Sequence, residues 1–140
     1  MAADVTGREE PALHGGRRGR EARRVLRGGA GGGTLIGTAT LWGIDTHNRS
    51  AHIGIELLPS ARGKGYGTDV VGTLCHYGFV VRSLQRLQIE TLADNAAMLG
   101  SAERNGFVRE GVLRSSAWVL GEFLDEVLLG LLVKDWKPDA

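Results

Sequence analysis

The sequence predicts an α+β (α/β-like) domain in which helices cover a mixed sheet, and three observations carry that prediction. Two segments alternate apolar and polar residues (SAHIGIELL and RLQIETL), two others have helical spacing, and the chain closes on a pair of long strands around a tight turn. A chain of 140 residues with 42% hydrophobic and 24% charged side chains can bury one core and has the make-up of an ordinary globular domain. Glycine is the anomaly, at 22 residues, about twice average usage.

The composition changes near Gly33. Residues 1–33 hold seven arginines, four acids and nine glycines, a net charge of +3, with little apolar content beyond Leu13, Val25 and Leu26. Such a stretch does not bury enough surface to offset its ordering entropy, so 1–33 is expected to be a flexible Arg/Gly-rich arm. A short helix over Arg20 to Arg27, or a marginal strand at Val25-Leu26, is the most local structure it would support. No aromatic residue is interleaved for base stacking, which argues against an RNA tether. From Thr34 the balance turns to 10 basic and 12 acidic side chains, and 34–140 is expected to be the folded domain.

Within that domain, Thr34 to Ile44 is β-branched, bounded by glycines, and reads as a strand. Asp45 to Arg49 is a polar turn, and Ser50 to Leu58 a second strand stopped by Pro59. Its alternation puts Ile53, Ile55 and Leu57 on one face and His52, Gly54 and Glu56 on the other. Thr68 to Arg82 carries Val70, Leu74, Tyr77 and Val81 at helical spacing, with Val71, Cys75 and Phe79 beside them. Arg86 to Leu92 alternates again. Asp94 and Asn95 can cap a helix through about Arg104, Asn105-Gly106 supplies a left-handed stop, and Phe107 is placed to fold back. Val108 to Val133 gives two longer strands around Gly121-Glu122.

Several classes of protein are excluded. No run approaches the ~18 consecutive apolar residues that span a bilayer. Residues 1–10 are polar, so no secretory signal is expected. A single cysteine, Cys75, excludes a disulfide framework and a Cys-based zinc site and fits a reducing cytoplasm. Two histidines, His47 and His52, without a third ligand do not make a metal centre. A net charge of +1 argues against wholesale nucleic-acid binding.

Arg62-Gly63-Lys64-Gly65-Tyr66-Gly67-Thr68 lies between a strand and a helix, with glycine at every second position. Glycines permit φ > 0 and close backbone approach, so successive N–H groups can converge on an anion at the positive end of the helix dipole. Arg62 and Lys64 add charge. The nucleotide P-loop is not matched, because Gly63-Lys64 is followed by Gly65 rather than a hydroxyl residue. The dinucleotide fingerprint fails too, since G-x-G-x-G is one residue short. A plain flexible connection between strand and helix is the competing reading.

The segment Arg62 to Gly67 resembles the acetyl-coenzyme A pyrophosphate loop, R/Q-x-x-G-x-G/A, of the GNAT N-acetyltransferases, with Arg62, Gly65 and Gly67 on its defined positions. Three further elements agree in order: His52-Ile53-Gly54-Ile55 before the loop, Asn95 followed by Gly106-Phe107, and Arg109-Glu110-Gly111-Val112-Leu113-Arg114, similar to the EGxLR strand of the RimJ/RimL-like and spermidine acetyltransferase branch. The resemblance covers roughly Thr34 to Leu132. It implies a mixed, mostly antiparallel sheet with a splayed parallel strand pair, flanked by helices. It also implies acetyl-CoA as cosubstrate, no metal, and direct transfer to a primary amine.

On that resemblance, main-chain groups of Leu57 and Leu58 would pair with the pantetheine arm, and one of their N–H groups would polarise the thioester carbonyl. The amides of Gly63, Lys64, Gly65, Tyr66, Gly67 and Thr68 would hold the pyrophosphate. Asn95 matches the family asparagine near the pantetheine end and serves equally as a helix cap. His52 stands where members often carry a glutamate base, and Glu56 on the same face is the second candidate; a structural hydrogen bond would also account for His52. The tyrosine that protonates the departing thiolate in many members is Ala102 here, and Ser101 points about 100° away from it.

The partner implied is an amine acceptor, small molecule or protein N-terminus, with a homodimer left open. Asp125 or Glu126 could attract a cationic amine, while Trp118 and Phe123 read as packing. Cys75 and His76 point too far apart to be a nucleophile–base pair. The family's usual strand, two helices and strand before Thr34 are not encoded convincingly, so the expectation is either a shortened member or a start that does not represent the natural open reading frame. The alternative function is a catalytically weak CoA-binding or scaffold protein without a complete acceptor lobe.

Overall fold

Alternation with period two and helical spacing set the elements described by the computed structural model, which covers residues 5–11, 22–28, 34–58, 62–63 and 65–138, with side chains from residue 37 onward. In chain order they are β1 (Val5–Pro11), β2 (Ala22–Gly28), β3 (Thr34–Asp45), β4 (Ser50–Leu57), α1 (Tyr66–His76), β5 (Arg86–Leu92), α2 (Ala96–Arg104), β6 (Val108–Val119) and β7 (Glu122–Leu132). The strands form one sheet in the order β1-β2-β3-β4-β5-β7-β6. All neighbours are antiparallel except β4 and β5. This is the mixed, mostly antiparallel sheet with one parallel pair that the resemblance implies.

One face of the sheet carries the core. Ala39 and Leu41 of β3, Ala51 and Ile53 of β4, Leu87 and Ile89 of β5, and Val127, Leu129 and Leu131 of β7 are all buried there. Val70, Val71, Leu74 and Cys75 of α1 and Leu99 and Ala102 of α2 complete the same cluster. Each large apolar side chain buried this way is worth roughly 1.5–3 kcal/mol relative to exposure. Alternation then commits Trp42, His52, Gln88 and Glu90 to the opposite face.

The N-terminal segment departs from expectation. A flexible arm is predicted for 1–33, yet β1 and β2 are strands, with Val5↔Gly28 through Pro11↔Ala22 in register and β2 laid along β3. The short helix considered for 20–27 is a strand instead. The physical reason is the open edge of β3: backbone groups along it reward any segment that pairs, whatever its side chains. The compositional break at residue 34 therefore falls inside a continuous sheet. Residues 1–4, 12–21 and 29–33 of the predicted arm lie outside the described residues.

The helices follow the sequence with one exception. A continuous helix to Arg82 is predicted with Val81 on its buried stripe. In the structure α1 runs into a wider π turn at Tyr77–Val81, closed by the Arg82 N–H on the Tyr77 carbonyl at 2.9 Å. Five residues per hydrogen-bonded turn rotate Val81 off the stripe, leaving it 60% exposed while Tyr77 and Phe79 are buried. At the end of α2, Gly106 takes the left-handed φ of +96° and Phe107 folds back to 4% exposure, as predicted. The β6–β7 turn falls on Leu120-Gly121, both at positive φ, one residue before the predicted pair.

Candidate functional site

β4 and β5 pair only over Ser50↔Arg86, Ala51↔Leu87 and His52↔Gln88. Both strands then continue, to Leu57 and Leu92, without pairing to each other. On its other side β4 stays paired with β3 as far as Gly37↔Leu57. A Cβ on Gly37 would run into the Glu56 carbonyl, so that carbonyl is turned toward β3. Main-chain groups alternate along a strand, and those of Ile55 and Leu57 therefore face the gap. The Leu57 carbonyl accepts from Arg62 Nε at 3.2 Å.

The glycine loop opens at the wide end of this gap. Gly63 (φ +74°) and Gly65 (φ +80°) both need the left-handed conformation, and a Cβ on either would meet nothing within 4 Å. Their backbone thus borders open space. Gly65 is the N-cap of α1 and carries no side chain to bond into the cap. The first N–H groups of an α-helix have no intrahelical acceptor, so the amides of α1's first turn point out of an uncapped mouth. Gly67 has a different cause: it is helical, and its missing Cβ admits Ser101 Oγ, which such a Cβ would approach to 2.8 Å. α2 closes tightly here, with Asn105 Nδ2 donating to the carbonyls of Thr68 (3.0 Å) and Ser101 (2.9 Å).

A cavity of about 1320 Å³ joins the gap to the mouth. Of the residues singled out in the sequence, Glu56, Leu57, Leu58, Arg62, Gly63, Gly65, Tyr66, Gly67, Thr68 and Asn95 all line it. Lys64 lies outside the described residues. Asn95 is a helix cap: Oδ1 accepts from the Met98 N–H at 3.2 Å while Nδ2 donates to Thr91 Oγ1 at 3.1 Å. Met98 and Arg104 of α2 also line the cavity without having been singled out by the sequence, as does Ser101, which the sequence sets aside as a proton donor. Their signal was available, because they recur at helical spacing from Asn95. Ala102, at the position of the family tyrosine, is fully buried on the core face.

His52 stands apart from that lining, at the narrow end of the gap, as the last β4 residue paired with β5. Its ring stacks on Trp42, with centroids 4.1 Å apart and planes 22° from parallel. Nδ1 is buried and lies 3.4 Å from Glu90 Oε1, without the alignment of a hydrogen bond. About 13 Å of strand separates positions 52 and 56 at ~3.3 Å per residue, so the two candidate bases occupy different ends of the gap. Elsewhere, burial pushes the Cys75 thiol up to about 12, which keeps it protonated at neutral pH. Among the described residues no cluster of three or more metal-ligating side chains occurs, and no helix is long and apolar enough to cross a membrane. Trp118 and Phe123 stack edge to face at 4.7 Å on the exposed hairpin.

Comparison with known proteins bears on what such a site does. The sequence profile of the acetyltransferase (GNAT) domain matches residues 12–108. The chain is 33% identical over 107 residues to the putative ribosomal N-acetyltransferase YdaF of Bacillus subtilis (strain 168), covering 76% of this chain and 58% of that protein. It is 29% identical over 91 residues to a spermidine N(1)-acetyltransferase of Vibrio cholerae serotype O1, covering 65% and 53%. The solved structure of spermidine N-acetyltransferase from Vibrio cholerae in complex with CoA and spermine matches the fold with a TM-score of 0.77 at 26% identity, over 82% of this chain and 67% of that one. The chain thus spans between half and two thirds of the length of these curated relatives.

Proposed function

This chain belongs to the GNAT acetyltransferase family, and on that premise we propose that it transfers the acetyl group of acetyl-CoA to a primary amine by direct attack on the thioester. One observation carries the reading: the uncapped mouth of α1 opens, beside parted β4 and β5, onto a cavity lined by the glycine loop. Open space beyond Gly63 and Gly65 fits a bulky diphosphate at that mouth. Acetyl-CoA supplies an activated acetyl group; the proposed reaction uses no metal.

The residues divide the work as follows. The amides from Gly63 to Thr68, with the charges of Arg62 and Lys64, hold the pyrophosphate. The Leu57 N–H faces the gap and is the donor for the thioester oxygen, ahead of Leu58. Leu57 and Leu58 border the pantetheine arm, and Asn95 borders its far end while capping α2. An amine is protonated near neutral pH, with pKa ~10, so a base must take its proton. His52 is the base at the narrow end of the gap, with Glu56 the second candidate. The departing thiol has a pKa of ~8.5, low enough to leave with water as its proton source, which suits an alanine at position 102.

The acceptor we infer is a primary amine of a small molecule or a protein N-terminus; the likeness to a spermidine N(1)-acetyltransferase supports a polyamine, and that to a putative ribosomal N-acetyltransferase supports a ribosomal substrate. A cytoplasmic setting accords with the lone, buried cysteine. Titration calorimetry with CoA, then thiol release over a panel of polyamines and N-terminal peptides, tests the proposal. Binding below millimolar CoA together with release driven by at least one amine is expected. His52→Ala with Glu56→Gln should then lower kcat by ~10²-fold or more. Absence of binding at millimolar CoA overturns the reading, and binding without release by any amine reduces the protein to a CoA-binding scaffold.

A further inference from the structure

The Glu110 of the EGxLR-like segment has no part in the site described above, yet the structure holds it in place. Arg109 pairs with Leu129 and Gly111 with Leu128, so Glu110 is the extra residue of a β-bulge. The bulge carries its carboxylate across β7 to Arg86 of β5, whose Nη1 and Nη2 donate at 3.0 and 2.6 Å. The pair passes over Gly130, where a Cβ would come within 2.6 Å of Arg86 Nη1 and both Glu110 oxygens. Arg86 Nη2 also donates to Gln88 Oε1 at 2.9 Å, and Gln88 Nε2 donates to Glu90 Oε1 at 2.9 Å. Glu90 Oε1 then faces His52 Nδ1 at 3.4 Å. The row ends at the vertex where β4 and β5 part.

We propose that Glu90 is a positioning residue for His52, held by the row Glu110–Arg86–Gln88 so that its carboxylate accepts from Nδ1–H and leaves Nε2 as the proton-accepting nitrogen; the inference rests on the acetyl-transfer reading above. The imidazole is constrained on its other sides. Trp42 stacks on one ring face, and Gly43, at φ +58°, leaves room for the edge bearing Cδ2 and Nε2, which a Cβ would approach to 3.0 and 3.6 Å. A shift of about half an ångström brings the Nδ1–Oε1 pair into hydrogen-bond range.

Among the described residues the charges around His52 are few. Glu90 faces it from β5, Trp42 and Gly43 of β3 carry none, Glu56 lies four residues along β4, and Arg86 is offset by Glu110. As Nε2 takes the proton of the incoming ammonium, positive charge develops on a ring that already has a carboxylate beside it. Nitrogen then attacks the acetyl carbon, the adduct collapses with cleavage of the C–S bond, the nitrogen sheds its second proton to water, and the thiolate takes a proton from water.

The test compares the wild type with Glu90→Gln, which keeps an acceptor oxygen but loses the charge, and Glu90→Ala, which loses both. Two readouts are taken: kcat and KM with an amine that supports turnover, and the ¹⁵N shifts of the His52 ring. Loss of the oriented ring should lower kcat in Glu90→Ala by ~10-fold or more with KM unchanged, while Glu90→Gln, which keeps an acceptor oxygen, should retain more of it. Neutral His52 should be predominantly the Nδ1–H tautomer in the wild type and lose that preference in Glu90→Ala. A kcat and a tautomer that are the same in all three proteins overturn the assignment. Should no amine support turnover, the acetyl-transfer reading falls while the ring nitrogens alone decide whether Glu90 orients His52.

Discussion

The two ends of the β4–β5 gap are built from different materials. At the wide end, Gly63, Gly65 and the first turn of α1 present main-chain N–H groups, placed by two left-handed glycines and a helix start within a few residues of sequence. At the narrow end, His52, Glu90, Gln88, Arg86 and Glu110 are side chains from β4, β5 and β6, aligned by register across the sheet. The mouth is made chiefly of backbone, whereas the row is made of side chains linked one to the next. A diphosphate has the same shape in every member that binds it, so backbone serves to hold it. Proton transfer from a particular amine needs a tuned group, which only side chains supply.

The largest effect that separates the two ends should come from Gly65→Val. Its side chain enters open space, so no core contact is lost, but an L-residue at φ +80° costs ~1–2 kcal/mol and turns the amides from the ligand. CoA affinity should fall about 100-fold by calorimetry, the worth of one or two hydrogen bonds to a charged group. Unchanged affinity would place the diphosphate elsewhere. Gly130→Ala should act in the opposite sense, displacing the Arg86–Glu110 pair and lowering stability by at most ~1 kcal/mol, since the pair is partly exposed and screened. CoA affinity should stay at the wild-type value; a parallel loss would merge the two ends into one unit.

The pH dependence of that pair has a definite sign. Hydrogen bonding to Arg86 holds the Glu110 carboxyl below its ordinary value of 4.5, so its stabilisation is present above that value and fades as pH falls through the lowered one. In thermal melts the gap between wild type and Glu110→Gln should close as the pH drops below 4.5. The smallest effect belongs to Gly67→Ala, whose new Cβ would press on Ser101 Oγ at 2.8 Å. A double-mutant cycle with Ser101→Gly should show a coupling of about 0.5 kcal/mol. Full additivity would mean that Gly67 is kept for the ligand rather than for α2.

Legibility in the sequence follows the same division. Gly106-Phe107 could be read as a helix stop with a returning aromatic ring because both signals lie within two residues. The alternation of Ser50–Leu57 and Arg86–Leu92 likewise announced which side chains reach the core. β1 was not legible and β2 only as a marginal strand at Val25-Leu26, since β2 pairs along the edge of β3 and β1 along β2 rather than through the composition of 1–33. Val81 was misplaced because a π turn changes the helical period without a distinctive residue. Glu90 went unnoticed for a third reason: in RLQIETL it is one more polar position on an alternating strand, and nothing local says that it faces His52.

By itself, then, the amino-acid order determined the strands and helices from Thr34 onward, the capped start and glycine stop of α2, and a loop suited to an anion. Each of these depends on φ preferences and apolar spacing that act between near neighbours. Only the tertiary structure decided where β4 and β5 separate, that α2 lines the cavity, that a carboxylate on β6 reaches an arginine on β5, and that one on β5 faces an imidazole on β4. Those depend on strand register and on one bulge, which place residues tens of positions apart within a few ångströms.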